Sequence, residues 1–191
     1  GNVSIQSGST YQQEGKKVFG YDQRDGVDRG DDVTFSNSAY EDVTNGEYIN
    51  NGDIFSSNGS TSTFYVNGNH AQLTNNKNMH FYSAENLKDT GSIKGIDLGT
   101  NGYFVNEESG KITLGIGFDE EGNRIALKKN GGNNDDGEFR NRNTHNVINI
   151  SSSGRVDNKG HIEIGIRPEE AKSDDELFAY GVAMNFGGSL S

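Results

Sequence analysis

The chain has 191 residues with 28 acidic and 17 basic side chains, and its net charge of −11 disfavours nucleic-acid backbones and anionic lipid surfaces as partners. Val, Ile, Leu and Phe supply only 40 of the 191 residues, which excludes a thick central core and leaves a narrow one fed by short alternating runs. There is no Cys, so no disulfide scaffold forms, and no apolar run approaches the roughly 18 residues that span a bilayer, so membrane insertion of this segment is not expected.

Along the chain, Val3-Ser4-Ile5 alternates, Ser7-Gly8-Ser9 turns, and Val18-Phe19 resumes an extended run. Residues 22–32 form a charged loop. Strands return at Val33-Thr34-Phe35, Glu47-Tyr48-Ile49 and Asp53-Ile54-Phe55. Thr63-Phe64-Tyr65-Val66 is a richer strand closed by Asn67-Gly68-Asn69, and Met79-His80-Phe81-Tyr82 follows another Asn-rich turn. Ser92 to Leu98, Gly102 to Val105 and Lys111 to Ile116 form the most regular section, with one side of the alternation aliphatic. Residues 119–146 break the pattern and read as a long loop around a short strand, Arg124-Ile125-Ala126-Leu127. Val147 to Ile150, Gly154 to Val156 and His161 to Ile166 resume the alternation. Residues 168–177 read as a helical turn or a second excursion, and Phe178 to Met184 as a strand rich in small residues.

A turn-plus-strand unit recurs through these runs. Asn50-Asn51-Gly52-Asp53-Ile54 is echoed by Thr90-Gly91-Ser92-Ile93, Ser109-Gly110-Lys111-Ile112 and Asn158-Lys159-Gly160-His161-Ile162. Each closes a polar turn on Gly and places Ile two residues on. The Ile93 to Ile112 step is 19 residues and the Ile54 to Ile93 step is 39, close to twice that. Irregular repeats of this kind predict stacked β-coils rather than a globule. The 27 Gly and 24 Asn suit such a fold, because both tolerate the left-handed backbone of tight turns. The expected fold is all-β: a right-handed parallel β-helix, one solenoid domain over residues 1–191, with loop excursions near 22–32 and 119–146. The chain begins and stops mid-pattern and is expected to be a piece of a larger protein.

The irregular coil from Val43 through Asn45-Gly46 and Asn50-Asn51-Gly52 to Ile54, and the closing run Tyr180-Gly181-Val182-Ala183-Met184, resemble passenger segments of bacterial autotransporter adhesins. The resemblance covers residues 40–190 in style rather than in a diagnostic motif, and tailspikes and polysaccharide lyases share the same physics. It implies a parallel β-helix exposed on a Gram-negative cell surface, hence an extracellular location. The implied partner is a host or bacterial surface protein or glycan. The coil lengths here vary more than in the tidiest members, and the 119–146 excursion is long.

Few residues announce chemistry. Arg29-Gly30-Asp31, in the charged loop, could present a guanidinium and a carboxylate to an integrin-type receptor, although three-residue motifs also arise by chance. Asp22, Asp25 and Asp28 in that loop, and Asp135 and Asp136 in Asn133 to Glu138, are candidate calcium ligands, since Ca²⁺ takes six to eight oxygens. Neither stretch has the spacing of a twelve-residue calcium loop, and a solvated acidic loop is the plainer reading; no other cofactor is indicated. His70, His80, His145 and His161 have no ligand spacing, and no nucleophile elbow, phosphate loop or dinucleotide fingerprint occurs. The leading expectation is a non-enzymatic adhesin rod whose loops make the contacts. The alternatives are a β-helical carbohydrate-active enzyme, needing only two or three carboxylates on one groove, and a β-sandwich lectin or pilus-like subunit.

Overall fold

The computed structural model describes residues 4–5, 7–22, 27–28, 39–57, 62–81, 94–114, 117–118, 124–125, 145–150, 153–164, 179–184 and 189–190. Within them the chain winds as strand triplets. The first winding runs through β1 (Ser4–Ile5), β2 (Thr10–Gln13) and β3 (Lys16–Asp22), and β4 (Val27–Asp28) turns back antiparallel on β3. The second takes β5 (Ala39–Thr44), β6 (Glu47–Asn50) and β7 (Asp53–Ser57); the third takes β8 (Ser62–Asn67), β9 (Gln72–Asn75) and β10 (Asn78–Phe81). The fourth takes β11 (Lys94–Leu98), β12 (Tyr103–Asn106) and β13 (Lys111–Leu114), followed by a small antiparallel pair, β14 (Gly117–Phe118) and β15 (Arg124–Ile125). The fifth takes β16 (His145–Ile150), β17 (Arg155–Asn158) and β18 (His161–Ile164). Then β19 (Ala179–Met184) and β20 (Ser189–Leu190) stack on β16 and β17.

First, second and third strands of successive windings pair in parallel, giving three sheets ordered β1-β5-β8-β11-β16-β19, β2-β6-β9-β12-β17-β20 and β3-β7-β10-β13-β18, with β4 on the outer edge of β3. This is a parallel β-helix. A two-sheet antiparallel sandwich is ruled out, because the pairing between windings is parallel throughout the three sheets.

Alternation decides which side chains enter the rod. In the first sheet Val43, Val66, Leu98 and Ile150 are in register. The second stacks Tyr48, Leu73, Phe104 and Val156, and the third stacks Ile54, Met79, Ile112 and Ile162. All of these but Ile162 are fully buried, and Ile162 packs half-buried against them. Phe64 lies at the centre of the early windings, edge-on to Tyr48 at 5.0 Å and to Phe19 at 6.3 Å between ring centroids. Aromatic pairs in this geometry add to the burial of their area.

Ile54, Ile112 and Ile162 of the recurring unit thus share one ladder, but the winding is not 19 residues long. Met79 lies between Ile54 and Ile112 in the stack, so those two are two windings apart. Equivalent Asn residues of successive windings are separated by 25, 31 and 52 residues. The step of 19 starts at Ile93, outside the described residues and just before β11 of the first sheet, whereas Ile112 belongs to the third sheet. Thr90 to Ile93 and the 168–177 stretch lie outside the described residues.

Candidate functional site

The three corners of the rod differ sharply. From first to second sheet the connections are two to four residues, as at 45–46, 68–71 and 99–102, and from second to third sheet they are likewise two to four, as at 51–52, 76–77 and 107–110. From third back to first sheet they span residues 23–38, 58–61, 82–93, 115–144 and 165–178, lengths of 16, 4, 12, 30 and 14. Every long connection therefore departs from the same edge of the rod. The stretches expected as excursions, 22–32 and 119–146, overlap the 23–38 and 115–144 connections, but Asp22 ends β3 and His145 and Asn146 open β16.

The short corners are short because backbone continues the ladder through them. At the second corner Asn51 N–H donates to Gln13 O at 2.8 Å, Asn76 N–H to Asn50 O at 2.9 Å and Lys159 N–H to Asn106 O at 2.8 Å. Gly52 is obligatory here: a Cβ would sit 2.0 Å from Gly15 O of the winding before. At the first corner Asn45 and Asn101 hold φ of 53° and 55°, the left-handed region that Asn tolerates.

Inside the second corner runs a ladder that sequence reasoning missed. Asn50 Nδ2 donates to Asn75 Oδ1, Asn75 Nδ2 to Asn106 Oδ1, and Asn106 Nδ2 to Asn158 Oδ1, each at 2.9 Å. Asn50, Asn75 and Asn106 are fully buried. Each spare amide hydrogen meets a corner carbonyl, such as Gly52 O at 3.1 Å from Asn50 and Lys77 O at 3.1 Å from Asn75. Buried amides satisfied on both atoms hold register. The available signal was an Asn immediately before four of the five second corners, at 50, 75, 106 and 158, with Gln13 before the first. A second row lies outside it: Asn76 Nδ2 reaches Asn51 Oδ1 at 2.8 Å, and Asn51 Nδ2 reaches Glu14 Oε1 at 3.0 Å.

On the outer face of the second sheet, Tyr103 Oη donates to Asp157 Oδ2 at 2.5 Å, and Arg155 Nη2 contacts the same oxygen at 2.8 Å. The guanidinium also lies 5.1 Å from the Tyr103 ring centroid. Partial burial, together with the hydrogen bond to Asp157, pushes the Tyr103 phenol up to about 12. The three groups satisfy one another across two windings, which is a structural tie. On the outer side of the third sheet His80 is buried, its Nδ1 2.8 Å from Thr113 Oγ1 and its ring 5.0 Å from Phe55. Burial lowers His80 to about 4, with Asp53 partly opposing and Lys111 adding to the shift. It is a neutral packing group. At the N-terminal end Glu41 is buried in register with Phe64, and its charge adds to burial in raising the Tyr48 phenol.

Of the candidate receptor and calcium residues, only Asp22 and Asp28 lie among the described residues. Asp22 ends β3 and pairs with Val27, while Asp28 in β4 pairs with Tyr21, so the acidic loop starts as a β-hairpin. Asp25, Arg29, Gly30, Asp31, Asp135 and Asp136 lie outside the described residues. Among the described residues no three His, Asp or Glu side chains gather as a metal site. No protein-family model matches the chain, and neither a curated protein nor a solved structure matches it.

Proposed function

We propose that this chain is a non-enzymatic segment of a bacterial cell-surface adhesin, in which a β-helical rod carries contact loops along one edge. The observation that carries the reading is the asymmetry of the corners: connections of 12 to 30 residues collect at the third corner, while the other two never exceed four. A fold that needs only short turns gains no stability from such insertions, and connecting segments are where binding residues concentrate. The third-corner connections hold 17 of the 28 acidic and 10 of the 17 basic residues, and so seven of the eleven net negative charges. That favours a partner face rich in Lys or Arg on a host or bacterial surface protein, with a glycan as the other candidate. Arg29, Gly30 and Asp31, and the calcium candidates Asp22, Asp25, Asp28, Asp135 and Asp136, belong to this edge in the reading.

The test replaces residues 115–144 by a four-residue corner and, separately, shortens 23–38. Binding of each form to intact cells and to protein and glycan arrays is measured beside its β-sheet circular dichroism. The reading expects wild-type binding without turnover, lost when a connection is cut while the β-signature persists. Release of reducing ends or unsaturated uronides from a polysaccharide panel would instead establish the carbohydrate-active enzyme. Binding indifferent to both replacements would remove the edge from the mechanism.

A further inference from the structure

Among the described residues four corners present Asn followed by Gly, Asn45-Gly46, Asn51-Gly52, Asn67-Gly68 and Asn101-Gly102, and the last three have both reacting groups in hydrogen bonds. An Asn-Gly pair is the sequence most prone to losing its side-chain amide. The Gly nitrogen gives up its proton and attacks Asn Cγ, the Cγ–Nδ2 bond breaks, and ammonia leaves. The five-membered imide that results adds water at either carbonyl, giving Asp or isoaspartate. Gly lets the reaction run because no side chain hinders the attacking nitrogen.

The fold disables both reacting groups at each of these three pairs. Gly52 N–H is held by Asn50 Oδ1 at 3.1 Å, Gly68 N–H by Thr100 O at 2.7 Å and Gly102 N–H by Gly99 O at 3.2 Å. The amides are held as well. Asn51 bonds Glu14 and Asn76 at 3.0 and 2.8 Å, Asn67 Oδ1 accepts from Thr100 N–H at 2.9 Å, and Asn101 Nδ2 donates to Asn69 Oδ1 at 2.5 Å. Space is short too, since a Cβ on Gly52 or Gly102 would lie 2.0 or 2.1 Å from a carbonyl oxygen of the preceding winding. Turning the Gly nitrogen onto Cγ requires the winding to open.

We propose that Asn51, Asn67 and Asn101 are fold-gated modification sites, converted to Asp or isoaspartate only in windings that have opened. Conversion then opposes rewinding. At Asn51 it sets a second carboxylate where the amide now bonds Glu14 Oε1 at 3.0 Å. The isoaspartate form also lengthens the backbone at a corner with no spare room. The same Gly residues that permit tight corners thereby mark polypeptide that has spent time unwound. This inference does not depend on the adhesin reading.

The experiment incubates wild-type protein at mildly alkaline pH, natively and in concentrated urea, and quantifies amide loss by peptide mass mapping. The expected result is loss at all three sites in urea and at least tenfold slower loss natively, equivalent to about 1.4 kcal/mol of local opening. Refolding yield after urea removal should fall in step with conversion. Native loss at any of the three within tenfold of its urea rate overturns the proposal for that site. A refolding yield independent of conversion overturns the claim that conversion opposes rewinding.

Discussion

Asn75 Nδ2 donates to Asn106 Oδ1 at 2.9 Å across 31 residues of sequence, and the two side chains are fully buried. Asn75 also accepts from Asn50 Nδ2 at 2.9 Å and donates to Lys77 O at 3.1 Å, so one amide joins three windings and closes its own corner. Replacing Asn75 by Ala strips partners from two buried amides at once. Asn106 Oδ1 loses the Asn75 donor, whereas Asn50 Nδ2 keeps Gly52 O at 3.1 Å and Asn78 O at 3.0 Å. An unsatisfied group costs roughly 1–3 kcal/mol, so Asn75→Ala should destabilise by about 1–3 kcal/mol in urea unfolding. Asn76→Ala, on the outer row, should cost under about 1 kcal/mol because water replaces what it loses.

Core truncation should be at least as severe. Phe64 is fully buried between Tyr48 and Phe19. Phe64→Ala should cost about 3–5 kcal/mol, the range for emptying a large aromatic site. The exposed pair of Lys77 Nζ with Asp53 Oδ2 at 3.7 Å should contribute under about 1 kcal/mol, so Lys77→Ala serves as the control in the same titration.

The rod was legible from particular letters. Ile54, Ile112 and Ile162 each follow a Gly by two residues, and the ladder of the third sheet carries all three. The winding of Met79 escaped the repeat because its corner, Asn76-Lys77, has no Gly and its inward residue is not β-branched. Its omission distorted the apparent period. The Asn ladder was hidden for another reason: Asn next to a corner already has a sufficient explanation as a turn residue, and its inward amide becomes evident only when windings of unequal length are set in register. The Tyr103–Asp157 bond, 54 residues apart, is equally invisible without that register. The charged stretches were recognisable as insertions by composition. Their common edge was not, because it depends on which sheet each flanking strand joins.

His80 ties stability to pH. Burial lowers it from 6.5 to about 4, so the unfolded chain binds its proton first as pH falls. Its contribution is complete above pH 6.5 and is lost between 6.5 and about 4, by up to about 1.4 kcal/mol per pH unit. His80→Gln keeps a group able to meet Thr113 Oγ1 and removes the titration. Unfolding free energies of both proteins at pH 7 and pH 5 should diverge, the wild type losing more on acidification.

Tyr103 reports the tie between the fourth and fifth windings at the alkaline end. Its phenol is raised from 10.0 to about 12, by burial first and the Asp157 hydrogen bond second, so the folded protein keeps this proton where the unfolded chain releases it. The stabilisation is complete below pH 10 and fades as pH rises towards 12. Ultraviolet titration of tyrosinate in the wild type should contain a late component that Tyr103→Phe removes. Asp157→Asn should move that component to lower pH while Arg155 still lies over the ring. A titration unchanged by Asp157→Asn would mean that burial alone accounts for the raised phenol, leaving Asp157 as the partner of Arg155 only.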